Sequence, residues 1–228
     1  MSARESVFGP MFGTAATWDP SAPAPQLALF APEAVPEPDV LWAAAFLSEA
    51  EQQELFAWCR DQIDWKYVDL YVGGKSVPVP RGLAWFGDVP YSYSGLTHKA
   101  SPMPAVLSKL ADRIEAALAS AGTPAKFNSV LMNFYRDGND SIGMHSDDES
   151  QLDPEPTIAS VSLGAAREFR FQHKVTRTRH QTPLPGGSLL IMKGATQKDW
   201  RHGIPKQPGA GARINLTFRF THREPVAR

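Results

Sequence analysis

The second half of the sequence, from about residue 127, consists of short segments rich in β-branched and aromatic residues, separated by glycine and proline. The clearest segments are FNSVLMNFY, TIASVSLG, REFRFQHK, GSLLIMK and RINLTFRFTH. β-Branched and aromatic side chains favour strands, and glycine and proline favour the turns between them. The pattern therefore predicts an all-β barrel or sandwich for this part of the chain.

Two amphipathic helices are predicted before the β-region. The first, SEAEQQELFAWCRDQI, opens with Ser48 and Glu51 at the spacing of a capping box. Its apolar residues Leu55, Phe56 and Cys59 follow at helical spacing. The second, MPAVLSKLADRIEAALAS (103–120), repeats apolar residues with the same period at Val106, Leu107, Leu110, Ile114 and Leu118. The sequence thus predicts helices first and a β-domain after them.

Composition limits the class of protein. The chain has 228 residues, of which 43% are hydrophobic and 21% charged, enough to bury a sizeable core. Its single cysteine excludes an internal disulfide and fits a reducing compartment. No stretch approaches the roughly 20 apolar residues of a membrane helix, and the N-terminus lacks the apolar core of a signal peptide. We therefore expect a soluble, intracellular protein without a membrane partner, and the composition favours the cytoplasm of a bacterium.

Residues 1–40 differ in composition from the rest of the chain, with seven prolines, eight alanines and no sustained period of 2 or 3.6. Such a segment buries too little apolar surface to fold by itself, so we predict a mostly disordered arm. The folded domain is predicted over 41–228. One apolar island, QLALF (26–30), interrupts the arm.

The segment GMHSDDE (143–149) places His145 two residues before Asp147. In a strand alternate side chains share a face, so both can point the same way. A second histidine, His202, follows the strand-like GSLLIMK in the segment DWRHGIP. Two histidines and a carboxylate with open coordination positions form the facial triad of non-haem Fe(II) oxygenases. Taken alone, the pattern also fits a solvated acidic loop that happens to contain a histidine.

The segment RINLTFR alternates polar and apolar residues. Its polar face has Arg213, Asn215, Thr217 and Arg219, and its apolar face has Ile214, Leu216 and Phe218, continuing to Phe220. Burying two unpaired arginines is costly, whereas a dianionic ligand would pair with them because guanidinium groups bind carboxylates bidentately. The alternative is a solvent-facing polar row on an edge strand. By the same alternation, Asn133 and Tyr135 in NFYRDG share a face and are placed to meet the same ligand.

Four motifs resemble, in order and spacing, those of the AlkB family of Fe(II)/2-oxoglutarate dioxygenases, most closely the branch of the human AlkB homologues 2 and 3. They are NSVLMNFYRDGNDSIGMHSDDE, IASVSLGAAREFRF, DWRHGIPK and RINLTFR. The resemblance runs from about residue 77 to 222, and more weakly back to about 40. It implies an α+β, mainly β fold, in which a double-stranded β-helix (jelly roll) over about 125–222 is supported by N-terminal helices.

The resemblance also implies the chemistry. His145, Asp147 and His202 would be both the catalytic residues and the ligands of Fe(II). The co-substrate 2-oxoglutarate would be held by Asn133, Tyr135, Arg213, Asn215, Thr217 and Arg219. The implied activity is the oxidative demethylation of alkylated DNA bases such as 1-methyladenine and 3-methylcytosine. That reaction consumes O2 and releases formaldehyde, succinate and CO2.

A nucleotide-recognition lid is implied over about 66–100, around PRGLAWFGDVPYSYSG (80–95). Within it, Arg81 and Tyr93 match substrate-contacting positions and Trp85 is a further candidate, with ordinary packing as the alternative. Asp148 and Glu149 are candidates for contacts to the positively charged base, with loop solubility as the alternative.

The lid departs from the family pattern at one position. Homologue 2 inserts a phenylalanine into the duplex from a hairpin before the lid, and here LYVGGKS has Gly73 at the matching place. We therefore expect a preference for single-stranded DNA.

Local charge favours a nucleic-acid partner. Residues 167–206 contain nine Lys or Arg and two acids, although the whole chain has a net charge of -1. Phosphate attraction supplies most non-specific affinity for DNA. We predict that HKVTRTRH (173–180) is a basic hairpin tip that contacts DNA, with a solvated turn as the alternative. In the arm, Gln26–Phe30 resembles the peptide, Q-L-x-L-F in outline, by which bacterial repair proteins dock on the replication sliding clamp; packing on the domain's own surface is the alternative.

Two other functions compete with DNA demethylation. The same chemistry can act on RNA or protein, and the lid and basic segment argue against protein but leave RNA open. From a different class, the chain could be a catalytically silent nucleic-acid-binding module, although such a module has no need for the triad or the arginine pair. We expect a monomer.

Overall fold

The computed structural model describes most of the chain from residue 36 onwards. The described residues are 7–9, 11, 36–72, 75–93 and 96–226, with the backbone alone at 70–72, 91–93 and 96–98. Most of the arm predicted over 1–40, including QLALF, therefore lies outside the described residues. Of its described part, Phe8 and Met11 pack against the two core clusters of the domain, and the N–H of Gly9 bonds to the carbonyl of Trp42.

Strands make up most of the regular structure. In chain order the elements are β1 (Val40–Ala43), α1 (Glu49–Gln62), β2 (Asp69–Val72), β3 (Lys75–Pro78), β4 (Gly82–Gly87), β5 (Tyr91–Tyr93), β6 (Leu96–His98), α2 (Ala105–Ser120), β7 (Ser129–Tyr135), β8 (Ile142–His145), β9 (Ile158–Gly164), β10 (Arg167–His173), β11 (Arg179–Leu184), β12 (Leu189–Met192), α3 (Thr196–Asp199), β13 (Trp200–Ile204) and β14 (Arg213–Arg219).

Two antiparallel sheets form a jelly roll, as the family resemblance implies. The larger sheet has the order β1-β12-β9-β14-β7-β4, and the smaller has the order β11-β10-β13-β8. A core cluster joins their inner faces, since it contains Tyr135 and Leu190 from the larger sheet and Phe171 and Trp200 from the smaller one. Two short hairpins, β2-β3 and β5-β6, lie within the predicted lid. The inner faces of the two sheets therefore enclose the space in which a site can be built.

The helices cover the outer face of the larger sheet. Helix α1 begins after Ser48, whose side chain and that of Glu51 form the predicted capping box. The apolar faces of α1 and α2 share a core cluster with residues such as Leu216 on β14. Of the apolar residues predicted to line α2, only Val106 is exposed. Both helices are thus confirmed, and they bury the sheet face opposite the inner one.

The predicted order of helices followed by strands is incomplete. The five strand segments predicted after residue 127 are confirmed as β7, β9, β10, β12 and β14. However, β1 and β4 lie earlier in the chain and form the two edges of the larger sheet. They are short, and their sheet partners lie far away in sequence, so no local period marks them. No helix in the described part of the chain is both long and apolar enough to cross a membrane.

Candidate active site

The structure brings His145, Asp147 and His202 together. His145 is the last residue of β8 and is directly opposite His202 in the register of β8 with β13. Asp147 follows two residues later and turns inward to the same point. One ligand atom from each residue lies within 4.8 Å of the others. Sheet register therefore completes the triad that the sequence spacing could only suggest.

Both histidines direct the same ring nitrogen towards the carboxylate. The Nδ1 of His145 lies 2.9 Å from the carbonyl oxygen of Gly143, so Nδ1 carries the proton and the Nε2 lone pair is available to a metal. That Nε2 is 3.4 Å from Oδ1 of Asp147. The Nε2 of His202 is 4.0 Å from the same oxygen. The three donor atoms therefore converge on one point with both rings in a suitable orientation.

The protonation states suit a metal. Burial lowers the pKa of His202 to about 3, so its imidazole is neutral at physiological pH. Burial disfavours the ionised form of Asp147, but the Arg219 guanidinium and the two histidines outweigh this effect and hold its pKa below the usual range. Metal binding requires neutral imidazole and ionised carboxylate. The folded protein holds His202 and Asp147 in these states before any metal binds.

The polar face of β14 is buried. Because β14 lies between β9 and β7 in the larger sheet, the alternative of a solvent-facing edge strand is wrong. Arg213 and Arg219 are 0% and 1% exposed. Asn215 and Thr217 between them are also buried, and all four belong to the inner face of the sheet, as the alternation predicts.

Arg213 is a buried cation with unused hydrogen-bonding groups. Its Nη2 donates to Ser162 Oγ at 3.0 Å, while Nε and Nη1 have no hydrogen-bond partner among the described residues. Its guanidinium carbon lies 5.2 Å from the ring centre of Tyr135. Burial lowers the pKa of Arg213 to about 10. Since each unsatisfied buried polar group costs about 1–3 kcal/mol, this position calls for an anionic ligand.

A single cavity connects the triad with the polar face of β14. It has about 470 Å³ of space free of protein atoms, including its open mouth. Its polar lining includes all three triad residues. Its other polar residues are Arg81, Asn133, Tyr135, Ser160, Asn215, Thr217 and Arg219. Asn215 is oriented by bonds from Nδ2 to Ser160 Oγ and to the carbonyl of Val161.

The predicted substrate contacts occupy different places. Arg81 is buried in the cavity wall, where its Nε donates to Oδ1 of Asn133 at 2.7 Å. Trp85 is buried against Leu131, donates from Nε1 to the carbonyl of Val89 at 3.1 Å, and does not line the cavity. The side chain of Tyr93 lies outside the described residues.

The two acidic candidates lie beyond Asp147. Asp148 is exposed beside a separate depression whose lining includes Lys174 and Lys198. Glu149 is half-buried. Neither residue lines the cavity that contains the triad. A substrate role for these acids, and for Arg81, Trp85 and Tyr93, stays a prediction.

A family model of the 2OG-Fe(II) oxygenase superfamily matches residues 39–219. The chain belongs to this superfamily. It is 42% identical over 179 residues to alpha-ketoglutarate-dependent dioxygenase alkB homolog 3 of Mus musculus, covering 73% of this chain and 60% of that protein. It is 38% identical over 185 residues to the DNA oxidative demethylase ALKBH2 of Homo sapiens, covering 75% of this chain and 69% of that protein. These relatives place the oxygenase in the AlkB family.

Solved structures share the fold of this oxygenase at low sequence identity. The structure of OsALKBH1 matches with a TM-score of 0.61 and 19% identity, covering 81% of this chain and 99% of that one. A prolyl-4-hydroxylase from Pseudomonas putida matches with a TM-score of 0.55 and 13% identity, covering 82% and 94%. The oxygenase spans only about 60% of the length of the mouse relative above.

The residues of this oxygenase fit Fe(II) and 2-oxoglutarate. Two imidazoles and one carboxylate are the donor set of non-haem Fe(II) sites that leave open positions for further ligands. The unsatisfied N–H groups of Arg213 fit one carboxylate of a dicarboxylic acid. Asn215, Thr217 and Arg219 of β14 line the same cavity as the triad. Arg213 does not line it, but its guanidinium contacts the ring of Tyr135, which does.

Two residues that support the site of this oxygenase were not predicted from the sequence. Arg167 is fully buried, and its guanidinium carbon lies 5.6 Å from the centre of the Tyr135 ring that Arg213 also contacts. Alternation in REFRF puts Arg167 on the same face as Phe169, a signal that could have identified it. Gln197 on α3 is the second, and its segment has no periodic pattern that marks it.

Proposed function

We propose that this oxygenase demethylates alkylated bases in DNA, such as 1-methyladenine and 3-methylcytosine. The observation that carries the proposal is the cavity that a His-Asp-His triad, with Asp147 and His202 buried, shares with the buried polar face of β14, Arg219 included. The substrate class rests on the relatives, one of which is named a DNA oxidative demethylase. A module that only bound nucleic acid would gain nothing from this buried arrangement.

The residues of the cavity have distinct roles. When bound, Fe(II) and 2-oxoglutarate would supply the oxidation of the methyl group by O2, with formaldehyde, succinate and CO2 as products. The triad holds the metal. Arg213, Arg219 and Tyr135 bind the co-substrate, and Asn133, Asn215 and Thr217 complete the polar wall. Arg219 also holds the Asp147 carboxylate through the ion pair between them.

The apolar part of the cavity wall limits the entry of water. Leu131, Ile142, Phe169, Met192 and Ile204 line it between the polar groups. Phe169 also stacks on the ring of His202, with 5.4 Å between the ring centres. A dry wall strengthens the electrostatic contacts of the site and protects the oxidation from side reactions.

The cavity mouth receives the base. An enzyme that acts on a base must take it out of the stack. We assign Arg81 and Tyr93 to nucleotide recognition by the lid, Trp85 to the packing of the lid, and Asp148 and Glu149 to the positive charge of the methylated base. Of these, Arg81 has the strongest structural support, since it lies in the cavity wall.

Basic residues on the smaller sheet attract the nucleic-acid backbone. Arg170, Arg179 and Arg201 are exposed on neighbouring strands β10, β11 and β13. In the sheet they are paired with Gln172 and Gln181. Glu168, which accepts a hydrogen bond from Arg170, is the only acid within these three strands. We expect single strands to be preferred, because Gly73 replaces the aromatic wedge of homologue 2.

Stimulation of 2-oxoglutarate turnover tests the substrate class. We expect succinate formation to rise with a DNA oligonucleotide that contains 3-methylcytosine and to stay at its basal rate with the unmodified oligonucleotide. The same lesion in RNA is the parallel arm. Stimulation by methylated RNA but not by methylated DNA would move the substrate to RNA, and stimulation by neither would contradict a nucleic-acid substrate.

We also propose that the oxygenase acts as a monomer and docks on the sliding clamp through Gln26–Phe30. The sequence alone supports this docking, since the segment lies outside the described residues. Replacing Leu27, Leu29 and Phe30 by alanine, which spares the core contacts of Phe8 and Met11, should abolish clamp binding and leave turnover on short oligonucleotides unchanged. Clamp binding that survives these substitutions would contradict the proposal.

A further inference from the structure

Gln197 directs its side chain at the backbone of a triad residue. It lies on the single turn α3, between β12 and β13, and is 1% exposed. Its Oε1 accepts a hydrogen bond from the N–H of Asp147 at 2.9 Å, and its Nε2 lies 3.5 Å from Sδ of Met192. If the side-chain amide of Gln197 were flipped, its Nε2 would face the N–H of Asp147, and two donors would meet. The orientation with Oε1 towards Asp147 is therefore the one that the chemistry allows.

The N–H of Asp147 depends on this side chain. Strand β8 ends at His145, which pairs with His202, and Ser146 is held by its hydroxyl, which donates to the carbonyl of Trp200 at 2.8 Å. Asp147 lies beyond the end of the strand and is 4% exposed. Without Gln197 its N–H would be buried with no acceptor, at a cost of about 1–3 kcal/mol.

Three further hydrogen bonds hold the α3 turn in place. On one side, Thr196 Oγ1 donates to the carbonyl of Asp39 at 2.9 Å. On the other, Lys174 Nζ donates to the carbonyl of Gln197 at 2.9 Å, and the N–H of Lys174 donates to the carbonyl of Asp199 at 2.8 Å. Lys174 begins the turn between β10 and β11, the basic hairpin predicted to contact DNA. The hairpin is therefore hydrogen-bonded to the turn that carries Gln197.

We propose that Gln197 is a positioning residue that fixes the orientation of Asp147 towards the metal, and that Lys174 holds Gln197 in place. Arg219 binds Oδ2 of the Asp147 carboxylate, and Gln197 binds the backbone N–H of the same residue. With both ends held, Oδ1 faces the two histidines. The inference rests on the proposed function only in that the triad binds a divalent metal.

Metal affinity without substrate tests the proposal. Gln197→Met keeps the length of the side chain and removes the acceptor, and Mn(II) replaces Fe(II) as a metal that air does not oxidise. Loss of a group that orients a metal ligand typically weakens metal binding 10- to 100-fold. We expect the Kd for Mn(II) to rise by roughly this factor, and the visible spectrum of the Co(II)-loaded protein to change. Lys174→Met should shift the Kd in the same direction by less.

Thr196→Val is the matched control. Thr196 lies on the same turn, is equally buried, and loses one hydrogen bond, but that bond goes to Asp39 and not to a triad residue. Thr196→Val and Gln197→Met should both lower the melting temperature of the metal-free protein. Of these two, only Gln197→Met should weaken Mn(II) binding by more than about threefold. Equal effects on Mn(II) binding, or none in Gln197→Met, would overturn the proposal. An unchanged Kd for Mn(II) in Lys174→Met would overturn the proposed role of Lys174 in holding Gln197.

A second measurement tests the proposal even if Gln197→Met does not fold. In the unmodified protein, the amide proton of Asp147 should exchange slowly with solvent, and exchange as fast as in an open loop would overturn the proposal. Gln197→Asn, one methylene too short to reach, should weaken Mn(II) binding as Gln197→Met does. Because these readouts need no nucleic acid, loss of the proposed demethylation would leave them unaffected, and their failure would leave the demethylation standing.

Discussion

Arg219 donates from Nη2 to Oδ2 of Asp147 at 2.8 Å, and both side chains are buried. The cation thus holds one oxygen of the carboxylate while the other faces His145 and His202. Arg213, six residues earlier on the same strand face, has no carboxylate partner among the described residues. The two buried arginines of this strand therefore differ in their partners, since Arg219 is bonded to the carboxylate of Asp147 and Arg213 has N–H groups without a partner among the described residues.

Arg219→Met should destabilise the protein and weaken metal binding. Breaking a buried ion pair by removing one partner costs about 3–5 kcal/mol, because it leaves an uncompensated charge. The pKa of Asp147 should rise towards and above its ordinary value. Chemical denaturation of the metal-free protein and titration with Mn(II) measure the two effects. Unchanged stability would show that the ion pair does not form in solution.

Arg213→Met, unlike Arg219→Met, should leave the stability of the protein unchanged or raise it. Replacing a buried, partly unsatisfied cation by an apolar side chain of similar length is often neutral or stabilising. The same change removes charge-assisted hydrogen bonds to 2-oxoglutarate, worth about 1.5–3 kcal/mol, so its KM should rise about 10- to 100-fold. Ser162→Ala, which removes only the partner of Arg213, is the control and should change this KM by a few-fold at most. A KM for 2-oxoglutarate that Arg213→Met leaves unchanged would place the co-substrate elsewhere.

The metal-free protein should lose stability on acidification. Folding depresses the pKa of His202 from 6.5 to about 3, so the folded state binds fewer protons than the unfolded state between these values. Stability is then complete above pH 6.5 and is lost as the pH falls towards 3, and Asp147 adds a loss in the same direction below 3.8. Melting temperatures between about pH 7 and pH 5 test this dependence. His202→Gln should flatten the profile, and an equally steep profile in that variant would assign the effect to other groups.

Trp85→Phe separates packing from substrate contact. Trp85 is buried and its Nε1 bonds to the Val89 carbonyl, so the change should lower the free energy of unfolding by about 1 kcal/mol or more. We expect the KM for a methylated oligonucleotide to stay unchanged, whereas Arg81→Met, in the cavity wall, should raise it. A raised KM in Trp85→Phe with unchanged stability would support the substrate role inferred from the resemblance.

Local patterns predicted the parts of the fold and site that depend on neighbouring residues. The alternation in RINLTFR assigned Arg213 and Arg219 to one face because side chains of a strand have a strict period of two. The same period predicted that the side chains of His145 and Asp147 point to one side. The capping box at Ser48 and Glu51 identified the start of α1 because it lies within one helical turn.

Features that depend on distant residues were not predictable in this way. Nothing near His202 shows that it pairs with His145, since sheet register brings them together. Strands β1 and β4 are recognisable only through partners far along the chain. Gln197 has no periodic context, and its role follows from a contact with Asp147, 50 residues earlier. The residues alone made His202 a candidate, and the family motifs supported it because motifs conserve residues that meet only in the folded structure.

The central claim is tested most directly by the fate of one methyl group. The protein, with Fe(II), 2-oxoglutarate and O2, would be incubated with a DNA oligonucleotide carrying a single 3-methylcytosine, and the oligonucleotide mass and released formaldehyde would be measured. We predict loss of the methyl group with an equal amount of formaldehyde, faster on single than on double strands, and none with His145→Ala. An unchanged oligonucleotide mass while 2-oxoglutarate is still consumed would contradict DNA demethylation but leave the oxygenase activity established.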